Sequence, residues 1–192
     1  MSIYLALLLD YLLGDPKWLP HPVVAVGKLI AFYEKLLYPR QYGQSAFRHG
    51  CLLVLATLAR VAGLLLAFLL FLAQWPWLRA AVVVYLLYAA LAWRSLQVEP
   101  GYVISALRSG NLPRARKMLS YVVGLDTENL NRQQIIKATV ETIAENTIDG
   151  VLAPLFYMAL GYLAGGGLGA VLAAWLYKAV TPMDSMVGYK NA

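Results

Sequence analysis

Residues 61–93 read VAGLLLAFLLFLAQWPWLRAAVVVYLLYAALAW, and Arg79 is the only charged residue among them. A membrane-spanning helix needs about 20 mostly apolar residues. The Gln-Trp-Pro-Trp stretch at 74–77 separates two such runs, because proline stops a helix and tryptophan favours the membrane interface. The pattern predicts a transmembrane hairpin with helices over 52–73 and 78–96.

The rest of the chain is similarly apolar. Of its 192 residues, 60% are hydrophobic and 14% are charged, whereas an ordinary soluble domain has about 25% charged residues. This composition excludes intrinsic disorder and a water-soluble monomer, because too few polar residues remain to cover a globule of this size. We therefore expect an all-α fold, in the form of a polytopic integral membrane helical protein with a cytoplasmic helical segment.

The charge distribution predicts how the protein is oriented in the lipid bilayer. The net charge is +6, and basic residues concentrate on either side of the hairpin, in 15–50 and 94–149. Because cytoplasmic loops retain Lys and Arg, we expect both segments on the cytoplasmic side of the cell inner or plasma membrane, in a multi-pass protein. The sequence contains no dense basic run, so we expect no nucleic-acid partner. The single cysteine, Cys51, is expected to be a small buried apolar residue.

We interpret residues 1–192 as a single membrane domain. Three consecutive glycines at 165–167 interrupt the last apolar window, which indicates two short helices or a re-entrant hairpin. The predicted segments, in chain order, are an apolar N-terminal segment (1–14), a loop and interfacial helix (15–50), the transmembrane hairpin (52–96), a cytoplasmic helical segment (97–149), an apolar hairpin or re-entrant segment (150–177) and a C-terminal motif (178–192).

Three short helices are expected within the cytoplasmic helical segment. The third begins at Asn131, because Gln134 completes a capping box. It ends near Gly150, because glycine commonly follows the last helical residue. The first two helices are expected over 102–109 and 113–121.

The third of these helices carries a row of acidic side chains. Glu141, Glu145 and Asp149 are four residues apart, which places them on one helix face, each about 6 Å from the next. A divalent cation such as Mg²⁺, or a substrate amine, would relieve their mutual repulsion. The alternative is a solvated acidic face on which Lys137 pairs with Glu141.

A stiff loop, GDPKWLPHP, occupies residues 14–22 directly after the first apolar segment. Its three prolines restrict the backbone. Such a loop can hold the Asp15 carboxylate and the His21 imidazole at a polar site near the membrane surface. The alternative is a structural turn in which Asp15 caps the chain and His21 is merely exposed.

The end of the chain, DSMVGYKN at 184–191, combines a carboxylate, a hydroxyl and a lysine. Lys178 lies just upstream, and lysines attract phosphate as point charges. The glycine spacing of a Walker A loop is absent, and the alternative role for Asp184 is a helix N-cap.

Two charged side chains, Asp10 and Arg60, interrupt apolar runs. Charges inside a membrane are usually paired or functional. A pair between these two residues is one arrangement, and interfacial placement of either is the other.

Three stretches of the chain resemble, in order, spacing and composition, the signature motifs of the CobD/CbiB family of membrane proteins in the late cobalamin pathway. The stretches are LLLDYLLGDPKWLPHPVVAVGKLI (7–30), VETIAENTIDGVLAPLFY (140–157) and YKAVTPMDSMVGYKN (177–191). The resemblance implies an adenosylcobinamide-phosphate synthase, a carbon–nitrogen ligase. That activity joins the carboxyl of adenosylcobyric acid to aminopropanol or its O-phosphate, with ATP as co-substrate and Mg²⁺.

On this interpretation the motif residues divide into three roles. The catalytic residues are Asp15, His21, Glu141 and Glu145. The metal ligands are Glu141, Glu145 and Asp149. The residues that bind substrate or phosphate are Asn146, Lys178, Asp184, Ser185 and Lys190.

The chain departs from the family pattern in three places. Leu125 stands where the family usually has Arg, and Thr181-Pro182-Met183 replaces a more polar run. The chain also stops at Ala192, directly after the third motif, where family members continue. The alternatives are therefore an inactive truncated family member, or a regulatory membrane protein like the distantly related AmpE family of β-lactamase induction.

Overall fold

The computed structural model describes residues 1–16, 21–37, 46–124 and 126–188. Over these residues the chain is helical and contains no strand, which confirms the all-α prediction. The helices are α1 (Ser2–Leu13), α2 (Pro22–Leu37), α3 (Ala46–Phe71), α4 (Pro76–Tyr88), α5 (Trp93–Arg108), α6 (Leu112–Leu119), α7 (Arg132–Thr147) and α8 (Ala153–Val187).

Three helical stretches are long and apolar enough to cross a membrane, namely Phe47–Gln74, Pro76–Arg108 and Arg132–Val187. The outward face of α3 is apolar and exposed, as at Leu55 and Phe71. These features support a helical membrane protein. Cys51 is also exposed on α3, so the expectation that it is buried was wrong. Its side chain lies on the surface of the bundle, where an apolar residue is compatible with lipid.

The predicted transmembrane hairpin differs from the structure at its C-terminal end. The chain turns at Trp75, as Pro76 predicts, but α4 ends at Tyr88 instead of continuing to residue 96. A short non-helical break follows before α5 begins at Trp93. Within this break the Ala92 N–H donates to the Gly150 carbonyl, 3.0 Å away. Residues 89–92 contain neither proline nor glycine, so a long-range contact, and no evident local signal, accompanies the break.

The start of α7 agrees with the sequence prediction, whereas its end does not. Asn131 and Gln134 form the predicted capping box, with reciprocal bonds of 2.8 and 3.0 Å. Gly150, however, does not end the helix, because the chain continues through one π-helical turn, Ile148–Leu152, directly into α8. Gly150 is buried against Ala92 instead, where a Cβ would lie 3.2 Å from the alanine Cβ.

The chain reverses within α8 at the glycines that interrupt the apolar window. Gly165 and Gly166 leave helical geometry, and Gly166 has a φ of 58°, which favours glycine. The two arms, 153–164 and 167–187, pack so closely that a Cβ on Gly161 would overlap the Gly169 carbonyl. This reversal returns the second arm to the π turn.

Two groups of buried side chains form the core. The larger lies among α1–α4 and α8, where Trp175 is buried and donates from Nε1 to the Leu86 carbonyl at 2.9 Å. The smaller lies among α5, α6 and α7 and includes Val103, Leu119 and Ile135. The break between α4 and α5 is where the chain passes from the larger core to the smaller.

Candidate functional site

Charged side chains from all three motif stretches meet where the two cores join. Lys178 on α8 interacts electrostatically with Asp10, Asp15 and Asp149, and its charge also acts on His21. We call these five residues the junction cluster. The structure therefore brings together four of the predicted site residues, Asp15, His21, Asp149 and Lys178, and adds Asp10.

Asp10 links α1 to the first turn of α5. Its side chain is completely buried, and its Oδ2 accepts a 2.7 Å hydrogen bond from the Trp93 N–H. The α5 N-cap, Ala92, has no side chain able to cap, so this carboxylate supplies the cap from another helix. A second bond joins the same two helices, because the Arg94 Nη1 donates to the Tyr11 carbonyl near the end of α1, 2.9 Å away. The suggested pairing of Asp10 with Arg60 is replaced by this contact.

Gly14 directs the chain from α1 to Asp15. Its φ is 63°, a left-handed conformation that glycine adopts without strain. A Cβ at this position would also lie 2.6 Å from the Arg94 Cγ. The Tyr88 hydroxyl donates to the Gly14 carbonyl and so ties this turn to α4. Only glycine fits both the positive φ and the close approach of Arg94. The turn therefore sets the position of Asp15 directly after α1.

Asp15 and His21 form the polar pair that the stiff loop predicts. The Asp15 Oδ2 accepts from the Ser95 hydroxyl at 2.9 Å, and its Oδ1 lies 3.7 Å from the His21 Nε2. The His21 Nδ1 accepts from the Val23 N–H at 3.3 Å. The neutral ring therefore carries its proton on Nε2, facing Asp15. About a third of each side chain, 32% for Asp15 and 31% for His21, is exposed to solvent.

The neutral form of His21 is favoured by its surroundings. Burial lowers the pKa of the imidazole below its usual 6.5, and the Lys178 cation acts in the same direction, whereas the Asp15 carboxylate opposes them. Because Nδ1 is occupied by the Val23 N–H and Nε2 carries the proton, the Asp15 carboxylate is the group of this pair that can accept a proton from a ligand.

Asp149 lies in the π turn and contacts α8. Its Oδ1 accepts from the Tyr177 hydroxyl at 2.8 Å, and its carbonyl accepts from the Lys178 Nζ at 3.4 Å. The Tyr177 ring stacks on Tyr157 with centroids 5.0 Å apart. A π turn of this kind often marks a functional site. The Lys178 ammonium thus contacts a backbone carbonyl of the protein, and its role in phosphate binding stays a prediction.

The other two acidic residues of the second motif do not join the cluster. Glu141 and Glu145 are exposed on α7, and Glu141 pairs with Lys137 at 3.6 Å. Within the described part of the chain, no group of three or more His, Cys, Asp or Glu residues is placed to hold a metal ion. The metal role of Glu141, Glu145 and Asp149 therefore stays a prediction without a preformed site.

The remaining predicted residues lie apart from one another. Asn146 borders a narrow gap between α5 and α7. Asp184 and Ser185 are exposed near the end of α8, and the Ser185 hydroxyl donates to the Thr181 carbonyl at 3.5 Å. Asp184 lies inside the helix, so the alternative that it is an N-cap was wrong. Lys190 lies outside the described residues.

Sequence reasoning did not assign a site role to Ser95, Arg94 or Tyr177, all of which contact the cluster or its supports. Ser95 and Arg94 follow a tryptophan at the end of an apolar run and belong to no motif. The signal for Asp10 was present, since a charge inside an apolar run indicates function. The sequence did not show, however, that the partner of Asp10 is the Trp93 N–H.

Comparisons with known proteins agree with the motifs. The family model for CobD/Cbib protein matches residues 3–192. The "Cobalamin biosynthesis protein CobD" of Pelobacter propionicus is 45% identical over 97% of this chain and 55% of its own length. That of Geobacter metallireducens is 44% identical over 97% of this chain and 56% of its own length. The "Cobalamin biosynthesis protein CbiB" of Salmonella typhi is 41% identical over 97% of this chain and 57% of its own length.

The chain spans a little over half the length of these curated relatives. No solved structure matches it significantly. The match of the family model covers nearly the whole chain, and the three motif stretches that carry the junction cluster all lie within it. The chain therefore belongs to the CobD/CbiB family.

Proposed function

We propose that this protein acts in cobalamin biosynthesis as an amide ligase. It would join the amine of aminopropanol, or of its O-phosphate, to the carboxyl of adenosylcobyric acid, which gives adenosylcobinamide or its phosphate. The observation that carries the proposal is the junction cluster, in which residues from all three family motifs meet. The names of the relatives, cobalamin biosynthesis proteins CobD and CbiB, support the same pathway.

The proposed reaction needs an activated carboxyl and a neutral amine. ATP, as co-substrate, would convert the corrinoid carboxylate to an acyl phosphate with release of ADP. The amine nitrogen then forms the new C–N bond, phosphate leaves with the electrons of the broken C–O bond, and the departing phosphate takes the second proton of the nitrogen. Before this step the ammonium loses one proton, which the Asp15 carboxylate, held by the Ser95 hydroxyl, is placed to accept. The Nε2–H of the neutral His21 faces the other carboxylate oxygen and would help to keep Asp15 in position.

Mg²⁺ accompanies ATP in this proposal through the family resemblance alone. Carboxylates are suitable ligands for it. However, Glu141 and Glu145 are exposed on α7, whereas Asp149 accepts a hydrogen bond from Tyr177. The predicted ligand set does not fit a preformed metal site, and we assign no step to the metal.

We also propose that the protein lies in the cell membrane. The three stretches able to span a bilayer support a multi-pass membrane protein. The basic residues on both sides of the hairpin favour placement of the motif segments on the cytoplasmic face of the cell membrane. ATP and a soluble corrinoid would reach the junction cluster from that side.

Complementation tests the proposed function directly. The chain is expressed in a strain blocked at cobinamide formation, beside the Geobacter metallireducens relative. We expect the chain to restore cobinamide, the Asp15→Asn variant to fail and the exposed control Asp126→Asn to succeed. Rescue by the relative but not by this chain, at equal membrane abundance, would contradict the proposal.

A further inference from the structure

An open cleft of about 680 Å³ lies beside the junction cluster, between the end of α1, α5 and α6. Its size is within the range of about 300–1,000 Å³ typical of small-molecule sites. Asp15 borders it and so belongs to both the cleft and the cluster. The polar and aromatic residues that line it are Asp15, Arg94, Ser95, Glu99, Tyr102 and Tyr121.

Two carboxylates, Asp15 after α1 and Glu99 on α5, border the cleft. Ser95 and Glu99 are four residues apart, so they lie about 6 Å from each other on the same face. Ser95 also donates to Asp15 at 2.9 Å, and Asp15 and Glu99 both line the cleft. Their charges act on each other. The repulsion would be relieved by a cation placed between them.

The charge balance of the cleft also favours a cationic ligand. Among the described residues that line it, Asp15 and Glu99 are acidic and Arg94 alone is basic. The Arg94 Nη1 is already bonded to the Tyr11 carbonyl. With both carboxylates ionised and the guanidinium protonated, the described lining has a net charge of −1.

Two tyrosine rings complete this environment. Tyr102 and Tyr121 line the cleft from α5 and from the turn after α6, and their side chains are 56% and 71% exposed. Aromatic faces attract cations at close range. Carboxylates next to accessible tyrosine rings suit a compact ammonium better than a phosphate.

We propose that this cleft binds a primary ammonium group, with Asp15 and Glu99 as its two acceptors. The inference rests on the proposed function and makes the cleft the site of the amino alcohol or its O-phosphate, which share this group. Arg94 lies on the same wall, where it can contact the hydroxyl or phosphate end. Binding here places the ammonium beside Asp15, so a proton can pass to this carboxylate before the nitrogen attacks. Glu99 then binds the amine without taking part in the bond change.

The test is direct binding to the purified chain in detergent, measured by titration calorimetry. The probes are 1-amino-2-propanol, its O-phosphate and uncharged propane-1,2-diol. We expect the Glu99→Gln variant to bind both amines roughly tenfold or more weakly, because a charge-assisted hydrogen bond is replaced by a neutral one. Glu99→Asp, which keeps the charge, should recover part of the affinity. The control Glu128→Gln, on an exposed turn, should bind like the unchanged chain.

Two results would overturn the cleft assignment: diol binding as tight as amine binding, or equal amine affinity in the Glu99→Gln variant and the unchanged chain. Of the two amines, the tighter binder identifies the form that the cleft selects. Circular dichroism of each variant excludes misfolding as the cause of lost affinity. Amide formation assayed in parallel separates the two proposals. Glu99-dependent binding without product contradicts the ligase, whereas product formation with Glu99-independent binding contradicts the cleft.

Discussion

Replacement of Asp10 by alanine should weaken the contact between α1 and α5 and so lower the free energy of unfolding. The substitution removes the 2.7 Å bond from the Trp93 N–H to a completely buried carboxylate, and Ala92 offers no substitute cap. Hydrogen bonds to charged groups contribute about 1.5–3 kcal/mol. Because the second oxygen, Oδ1, has no partner within the described residues, its desolvation reduces the net benefit. We therefore expect Asp10→Ala to lose about 1.5–2 kcal/mol, toward the lower end of that range.

The Asp10→Asn variant provides the discriminating comparison. Asparagine keeps an acceptor for Trp93 and ranks with aspartate as a cap, so its loss should stay below about 1 kcal/mol. Asp126→Ala is a matched control, because the Asp126 Oδ1 also accepts one backbone N–H, from Glu128 at 2.9 Å, but on the surface. It should change stability by no more than about 0.5 kcal/mol.

The measurement is the free energy of unfolding in detergent micelles, from denaturant titrations followed by circular dichroism. Hydrogen exchange at the Trp93 amide gives an independent local readout, and exchange should be faster in Asp10→Ala. An alanine variant as stable as the unchanged protein would refute the capping argument. So would an asparagine variant as unstable as the alanine variant.

Two further predictions follow from the same region. Gly14→Ala should destabilise the protein by about 1–3 kcal/mol, because the φ of Gly14 is 63° and the new Cβ would lie 2.6 Å from the Arg94 Cγ. The control Gly27→Ala, in open space within α2, should be neutral or stabilise the protein by up to about 1 kcal/mol. Equal free energies of unfolding for the two variants would contradict this prediction. Because the pKa of His21 is lowered in the folded protein, the unfolded chain binds a proton at higher pH than the folded one. The free energy of unfolding should therefore be at its full value above about pH 6.5 and should fall as the pH drops through the pKa of the folded state. Unfolding titrations at pH 7.5 and 5.5 should show this loss, and His21→Gln should reduce it; an unchanged pH dependence in the variant would count against the assignment.

The local signals in the sequence predicted the elements that depend on neighbouring residues. The turn at Pro76 and the capping box of Asn131 and Gln134 each involve residues a few positions apart, so composition and spacing suffice. The break after Tyr88 could not be predicted in this way. Residues 89–92 are Ala-Ala-Leu-Ala, which favour a helix. The contacts that accompany the break come from Gly150 and from Asp10, which is 83 positions away from its partner.

The candidate site shows the same division. Asp15 and His21 could be paired from the sequence because they lie six residues apart in one proline-rich stretch. The row of Glu141, Glu145 and Asp149 assumed an uninterrupted α-helix, in which residues four apart share a face. The π turn at 148–152 widens the helix and changes its phase. As a result, Asp149 contacts Tyr177 while the two glutamates remain on the surface.

The sequence by itself determined that this is a helical membrane protein of the CobD/CbiB family, because apolar run lengths and motif residues are properties of single segments. Only the tertiary structure decided which charges meet. A carboxylate in an apolar bundle needs a donor, and for Asp10 that donor is the backbone of a helix far along the chain. The same packing places Ser95 beside Asp15 and lines the cleft with Glu99. These partners depend on how the helices cross, which local sequence patterns do not encode.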